Sequence, residues 1–128
     1  LCKNPIVSII DDDESVRLAT SSLLRSLGWA VRLYGSAEQF LESDGIGDVT
    51  CIISDVQMPG ISGLEMYRRL VGRGLAPPVM FISAYASDAV RRQALDLGAM
   101  CVLSKPVDAT EMSRRLDTLK DGRAGAAS

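Results

Sequence analysis

The sequence has no basic excess, no cysteine framework and no long apolar run, and each absence closes off a class of function. Lysine and arginine number 14 against 16 acidic residues, for a formal charge of −2 and a pI of about 5.1. The basic residues are scattered singly or in short pairs, which is no footprint for nucleic acid, so direct DNA binding by this chain is not expected. Cys2, Cys51 and Cys101 are odd in number and lack CxxC spacing. Two of them sit inside apolar runs, where cysteine behaves as a small hydrophobe, and a reducing cytoplasm fits them best. No stretch approaches the roughly 20 apolar residues of a membrane span, and no basic-then-apolar signal segment opens the chain. Aromatics are scarce at 5%, yet 47% of the 128 residues are hydrophobic, enough to fill one core. Residues 1–121 are assigned to that domain. Residues 122–128, small and glycine-containing, read as a flexible tail or the start of a linker.

What is present is an alternation of two periodicities. Ile6 to Ile10 is a nearly continuous apolar run, followed by Val16, Ala19, Thr20, Leu23, Leu24 and Leu27 at helical spacing, with Gly28 as a stop. Ala30 to Tyr34 alternates, as an edge strand does. Ser36 is a candidate N-cap for a helix using Ala37, Phe40 and Leu41, broken by Asp44 to Gly47. Val49 to Ser54 reads as a buried strand, Pro59 to Gly63 as a loop, and Leu64, Tyr67, Leu70 and Val71 as a third helix. Val79 to Ser83 is a strand; Ser87 or Asp88 opens a helix that Gly98 ends; Met100 to Ser104 is the last strand, and Met112, Leu116 and Leu119 line a final helix. Five strands alternating with five helices predict an α/β, doubly wound parallel sheet. With the alternating second strand at the edge, the order is 2-1-3-4-5, and strands 1 and 3 meet at the topological switch point, where ligands bind outside the carboxyl ends.

Acidic residues stand at those ends. Asp11, Asp12 and Asp13 close the first strand and Asp55 closes the third, more than forty positions away in sequence. Ionised carboxylates about 5 Å apart repel by roughly 3 kcal/mol per pair at an effective dielectric near 20. Such a cluster calls for a cation, and hard oxygen ligands point to magnesium. Asp13 is expected instead to cap the first helix. Ser83 ends the fourth strand, and Lys105 follows the fifth, ahead of Pro106. A carboxylate nucleophile, acidic metal ligands, a hydroxyl and an ammonium in one pocket suit transfer of a phosphoryl group to a carboxylate.

The segments Ile9 to Asp13, Ser54 to Gly63, Phe81 to Ala84 and Ser104 to Pro106, taken together at these intervals, resemble the receiver domains of two-component response regulators. The resemblance runs from Ile6 to about Leu119 and implies the flavodoxin-like receiver fold. It implies that Asp55 accepts a phosphoryl group, that Asp12 and Asp55 ligate Mg²⁺, that Asp11 helps through water, and that the backbone carbonyl of Gln57 is a further ligand. Ser83 would bind a phosphoryl oxygen, Lys105 would pair with the phosphate on Asp55, and the peptide before Pro106 would be cis. The implied donor is a sensor histidine kinase; this chain has no histidine and can only receive. The implied activity is Mg²⁺-dependent self-phosphotransfer with autodephosphorylation rather than metabolic catalysis. Finer similarity, in Ser36 to Leu41 and Met58 to Glu65, resembles receivers that precede a LuxR-type helix-turn-helix, DNA-binding output domain. That implies control of transcription, with homodimerisation on phosphorylation through the helix 4, strand 5 and helix 5 face.

One position departs from the family. Three residues before Lys105, where receivers usually carry Tyr or Phe as a rotamer switch, this chain has Val102; Tyr85 is the nearest aromatic that could substitute. Two other readings compete. An FMN carrier on the same sheet is opposed by Asp11 to Glu14, which would repel the FMN phosphate. A phosphorylation-independent adaptor is opposed by the intact set of Asp12, Asp55, Ser83 and Lys105.

Overall fold

The computed structural model describes residues 5–44, 46–75 and 77–127. Five strands, β1 (Ile6–Ile10), β2 (Ala30–Tyr34), β3 (Cys51–Asp55), β4 (Val79–Ser83) and β5 (Cys101–Ser104), form one sheet in the order β2-β1-β3-β4-β5. All four pairings are parallel, so each strand returns through a crossover. Helices α1 (Glu14–Ser26), α2 (Ala37–Leu41), α3 (Gly63–Gly72), α4 (Asp88–Asp96) and α5 (Ala109–Ala127) make those connections and follow the last strand. This is the expected fold and order.

The sheet divides the core in two because successive strand side chains point to opposite faces. Val7, Ile9, Ile53, Met80 and Ile82 pack with Leu24 of α1 and with Met112 and Leu116 of α5. Ile10, Ile52, Phe81 and Val102 pack with Phe40 of α2, with Met66 and Leu70 of α3, and with Ala94 of α4. The central strands β3 and β4 are buried at every residue, which explains their unbroken apolar runs. The edge strand β2 is covered less, and Leu33 remains 37% exposed.

Short polar side chains start the helices. Asp13 Oδ1 accepts from the Ser15 and Val16 N–H groups, and Ser36, Ser62 and Ser87 accept in the same way at α2, α3 and α4. Gly28 and Gly98, with φ of 93° and 101°, end α1 and α4 in the left-handed region that favours glycine.

Several bounds differ from the sequence reading; β5, for one, starts at Cys101 and not at Met100. Strand β3 starts at Cys51, opposite Val7, and not at Val49; the backbone bends at Thr50, whose N–H donates to the Ile6 carbonyl on β1 at 2.8 Å. A short 3₁₀ turn, Ile46–Asp48, precedes it. The backbone from Gly122, read as a flexible tail or the start of a linker, continues α5 through Ala127; Ser128 lies outside the described residues. Among the described residues no helix is long and apolar enough to cross a membrane.

Candidate functional site

The parallel registers deliver the site. Ile10 lies opposite Ser54 across the β1–β3 pair, so the residues that follow, Asp11 and Asp55, emerge side by side. Asp55 lies opposite Ile82, and Ser83 opposite Ser104, which brings the ends of β4 and β5 to the same rim. Asp11, Asp12 and Asp55 each offer a carboxylate oxygen, and these atoms all lie within 4.8 Å of one another. Asp11 and Asp55 are buried, and Asp12 is exposed.

Lys105 reaches into this cluster from the loop after β5. Its Nζ donates to Asp55 Oδ2 at 2.9 Å and stands 3.2 Å from Asp11 Oδ2. The Lys105–Pro106 peptide is cis, as the resemblance implies. Backbone groups hold the other carboxylate oxygens: Asp13 N–H donates to Asp11 Oδ1 at 2.9 Å and Gln57 N–H to Asp55 Oδ1 at 3.1 Å. Ser83 is buried at the end of β4, with its Oγ accepting from Tyr85 N–H at 3.1 Å and its carbonyl accepting from Lys105 N–H at 2.9 Å. The structure thus brings together Asp11, Asp12, Asp55, Ser83 and Lys105, with Gln57 alongside through its backbone.

The electrostatics are unbalanced. Burial pushes the Asp11 carboxyl above its ordinary value; the Asp13 N–H and the Lys105 charge oppose that shift, and the Asp55 charge adds to it. Burial works against the Lys105 ammonium, but its hydrogen bond to Asp55 and the charges of Asp11 and Asp55 outweigh burial and raise its pKa. One ammonium faces three carboxylates. The excess negative charge and the all-oxygen donor set could hold a hard metal cation.

Several residues that shape the site were not singled out by sequence reasoning. Arg17 of α1 donates from Nη1 to the Asp11 carbonyl oxygen at 2.7 Å, and Ser54 Oγ donates to the Asp55 carbonyl oxygen at 2.9 Å. Gly63, read only as part of a loop, packs against the same peptide. A Cβ built there would collide with the Asp55 carbonyl oxygen and lie 2.9 Å from Ser54 Oγ. Its signal was the glycine directly after the capping Ser62, where the β3–α3 turn meets Asp55. A small cavity of about 250 Å³ opens beside Lys105, walled by Val16, Ala19 and Leu23 of α1 and by Pro106 and Val107.

Known proteins agree with this geometry. The family described as "Response regulator receiver domain" matches residues 7–117. Transcriptional regulatory protein FixJ of Azorhizobium caulinodans is 41% identical over 102 residues, covering 80% of this chain and 48% of that protein. Response regulator protein TmoT of Ectopseudomonas mendocina is 39% identical over 101 residues, covering 79% of this chain and 46% of TmoT. The chain therefore spans about half the length of the curated relatives it matches. Among solved structures, response regulator StyR matches with a TM-score of 0.85 at 31% identity, over 98% of this chain and 65% of that one.

Proposed function

This chain belongs to the response regulator receiver domain family, and from that premise we propose that it works as a phosphorylation-dependent signalling switch with Asp55 as the phosphoacceptor. The observation that carries this reading is Lys105 Nζ at 2.9 Å from Asp55 Oδ2, inside a cluster of three carboxylates at the switch point. An Asp55 carboxylate oxygen forms the new O–P bond while the donor's bond to phosphorus breaks. With a phosphohistidine donor the leaving imidazole takes up a proton. Lys105, held in its charged form, stays beside the oxygens that gain negative charge, and the Ser83 hydroxyl is the second donor toward them. Asp11, Asp12, Asp55 and the Gln57 carbonyl are the residues proposed to hold Mg²⁺, which when bound neutralises charge on the phosphoryl oxygens. Attack of water on the acyl phosphate regenerates the carboxylate and resets the switch.

The donor we propose is a sensor histidine kinase, and the output a LuxR-type DNA-binding domain, supported by the name "transcriptional regulatory protein" that FixJ carries. The free, buried Cys51 and Cys101 support a cytoplasmic location. A phosphorylation-promoted homodimer on the α4–β5–α5 face is supported by a groove of about 230 Å³ there, with Leu95 at its rim 54% exposed. The decisive experiment gives the chain Mg²⁺ and acetyl phosphate and follows mass. Wild type should gain one phosphoryl group, and Asp55→Asn should gain none; equal labelling of the two removes Asp55 from the role. Size measurement with Mg²⁺ and beryllofluoride, which stands in for the phosphoryl group, tests the dimer.

A further inference from the structure

We infer that Arg91 is a positioning residue that latches α4 to β5 before phosphorylation and so sets how readily Asp55 is modified. The inference rests on the phosphoacceptor reading above. Arg91 Nη1 donates to the Val102 carbonyl oxygen at 2.8 Å, and Nη2 lies 3.5 Å from Ser104 Oγ. One guanidinium from α4 therefore grips the last residues of β5. That same segment delivers Lys105 to Asp55: Ser104 precedes Lys105 in the chain, lies opposite Ser83 in register, and Lys105 N–H is bonded to the Ser83 carbonyl.

The alternatives for coupling the site to α4 are few. Val102 is a buried aliphatic without a ring to reorient, and the Tyr85 ring is 77% exposed, outside the core. Beside the packing of Ala94 with Val102, two polar ties are present among the described residues, Arg91 to β5 and Tyr85 N–H to Ser83 Oγ, the latter two residues before the α4 cap at Ser87. Among the described residues no carboxylate pairs with Arg91, so its grip consists of bonds to neutral oxygens, and it borders an open groove into which it can swing without opening the core. A phosphoryl group on Asp55 draws Lys105 and Ser83 inward, and both pull on the Ser104 end of the strand segment that Arg91 holds. The latch thus favours the unmodified arrangement, and its release enlarges the competent population.

The test compares wild type, Arg91→Ala and Arg91→Lys for the rate of acetyl phosphate labelling with Mg²⁺, and for amide exchange over residues 84–96 with Mg²⁺ alone. Arg91→Ala should be labelled about fivefold faster, the change equivalent to about 1 kcal/mol. Arg91→Lys, which keeps a charged donor but lacks the planar fork that reaches Val102 and Ser104 together, should fall between. Exchange in Arg91→Ala should rise toward that of the wild-type beryllofluoride form. Faster labelling is a gain that damaged packing would not produce. Wild-type or slower labelling of a folded Arg91→Ala, or unchanged exchange, overturns the latch. Should Arg91→Ala melt below the assay temperature, Arg91→Lys decides by the same criterion. A wild type that takes no label overturns the phosphoacceptor reading itself, and that outcome is visible before any variant is compared.

Discussion

Asp12 is the exposed member of a cluster whose other two carboxylates are buried and tied to Lys105. Its removal should relieve repulsion that Coulomb's law puts at a few kcal/mol and solvent screening reduces to about 1 kcal/mol. Asp12→Ala should therefore raise the melting temperature in chelator by about 3–5 °C, and added Mg²⁺, which stabilises wild type by binding the native state, should no longer raise it. Asp13→Ala should behave in the opposite way, costing about 1 kcal/mol through the lost cap while keeping the Mg²⁺ response. Thermal melts with and without metal separate the two; a retained Mg²⁺ response in Asp12→Ala contradicts the assignment. Ser8 carries a different liability, a fully buried hydroxyl with no hydrogen-bond partner among the described residues. Ser8→Ala should raise the urea midpoint, by about 1 kcal/mol in stability. The residues at strand ends, Asp11, Asp12, Asp55, Ser83 and Lys105, were legible because strand order alone fixes where they emerge. Arg17, Ser54 and Arg91 were not, because their roles depend on which way a side chain turns across an element boundary.

The turn between β3 and α3 shows the same division. Its polar and glycine residues marked it as a loop, but the capping role of Ser62 and the contact of Gly63 with the Asp55 peptide exist only once α3 docks. One added methyl there must displace backbone rather than a flexible tip. Gly63→Ala should cost about 3 kcal/mol in urea unfolding and slow labelling of Asp55 in the protein that remains folded; a neutral result would mean the turn adjusts freely. Strands were easier to place than to bound. Val49 is apolar and buried, so it extends the β3 pattern, yet the chain is still turning at Thr50. The caps Asp13 and Ser36 were readable from residue type and the apolar period behind them, while at α4 the choice between Ser87 and Asp88 stayed open until the structure placed Ser87 at the cap. At the other extreme, Gly122 and Gly125 suggested a tail where the backbone is helical, since local composition does not register the three turns of α5 already formed upstream.

Across the whole molecule, the two-sided core fixes how stability responds to pH. Burial pushes the Cys51 thiol up to about 12 and raises that of Cys101. A value higher in the folded than in the unfolded chain contributes stability in full below the ordinary value of 9.0 and loses it as pH rises through about 12. Lys105, also raised, acts in the same direction. Urea midpoints should fall between about pH 8 and about pH 11, and Cys51 should resist iodoacetamide at the lower pH until the chain is unfolded; rapid native alkylation would contradict its burial. Trp29, buried just before β2 at the amino end of the sheet, is placed to report unfolding rather than events at the acidic rim. The strand order has a further consequence for synthesis. A chain emerging from the ribosome folds from its amino end, and β1 can pair with β3 as soon as Asp55 has appeared. At that moment the three carboxylates are gathered, while the lysine that offsets them lies fifty residues downstream of Asp55 and has yet to be made. The nascent sheet is thus assembled around its own repulsion, and the last strand to arrive is the one that makes the centre tolerable.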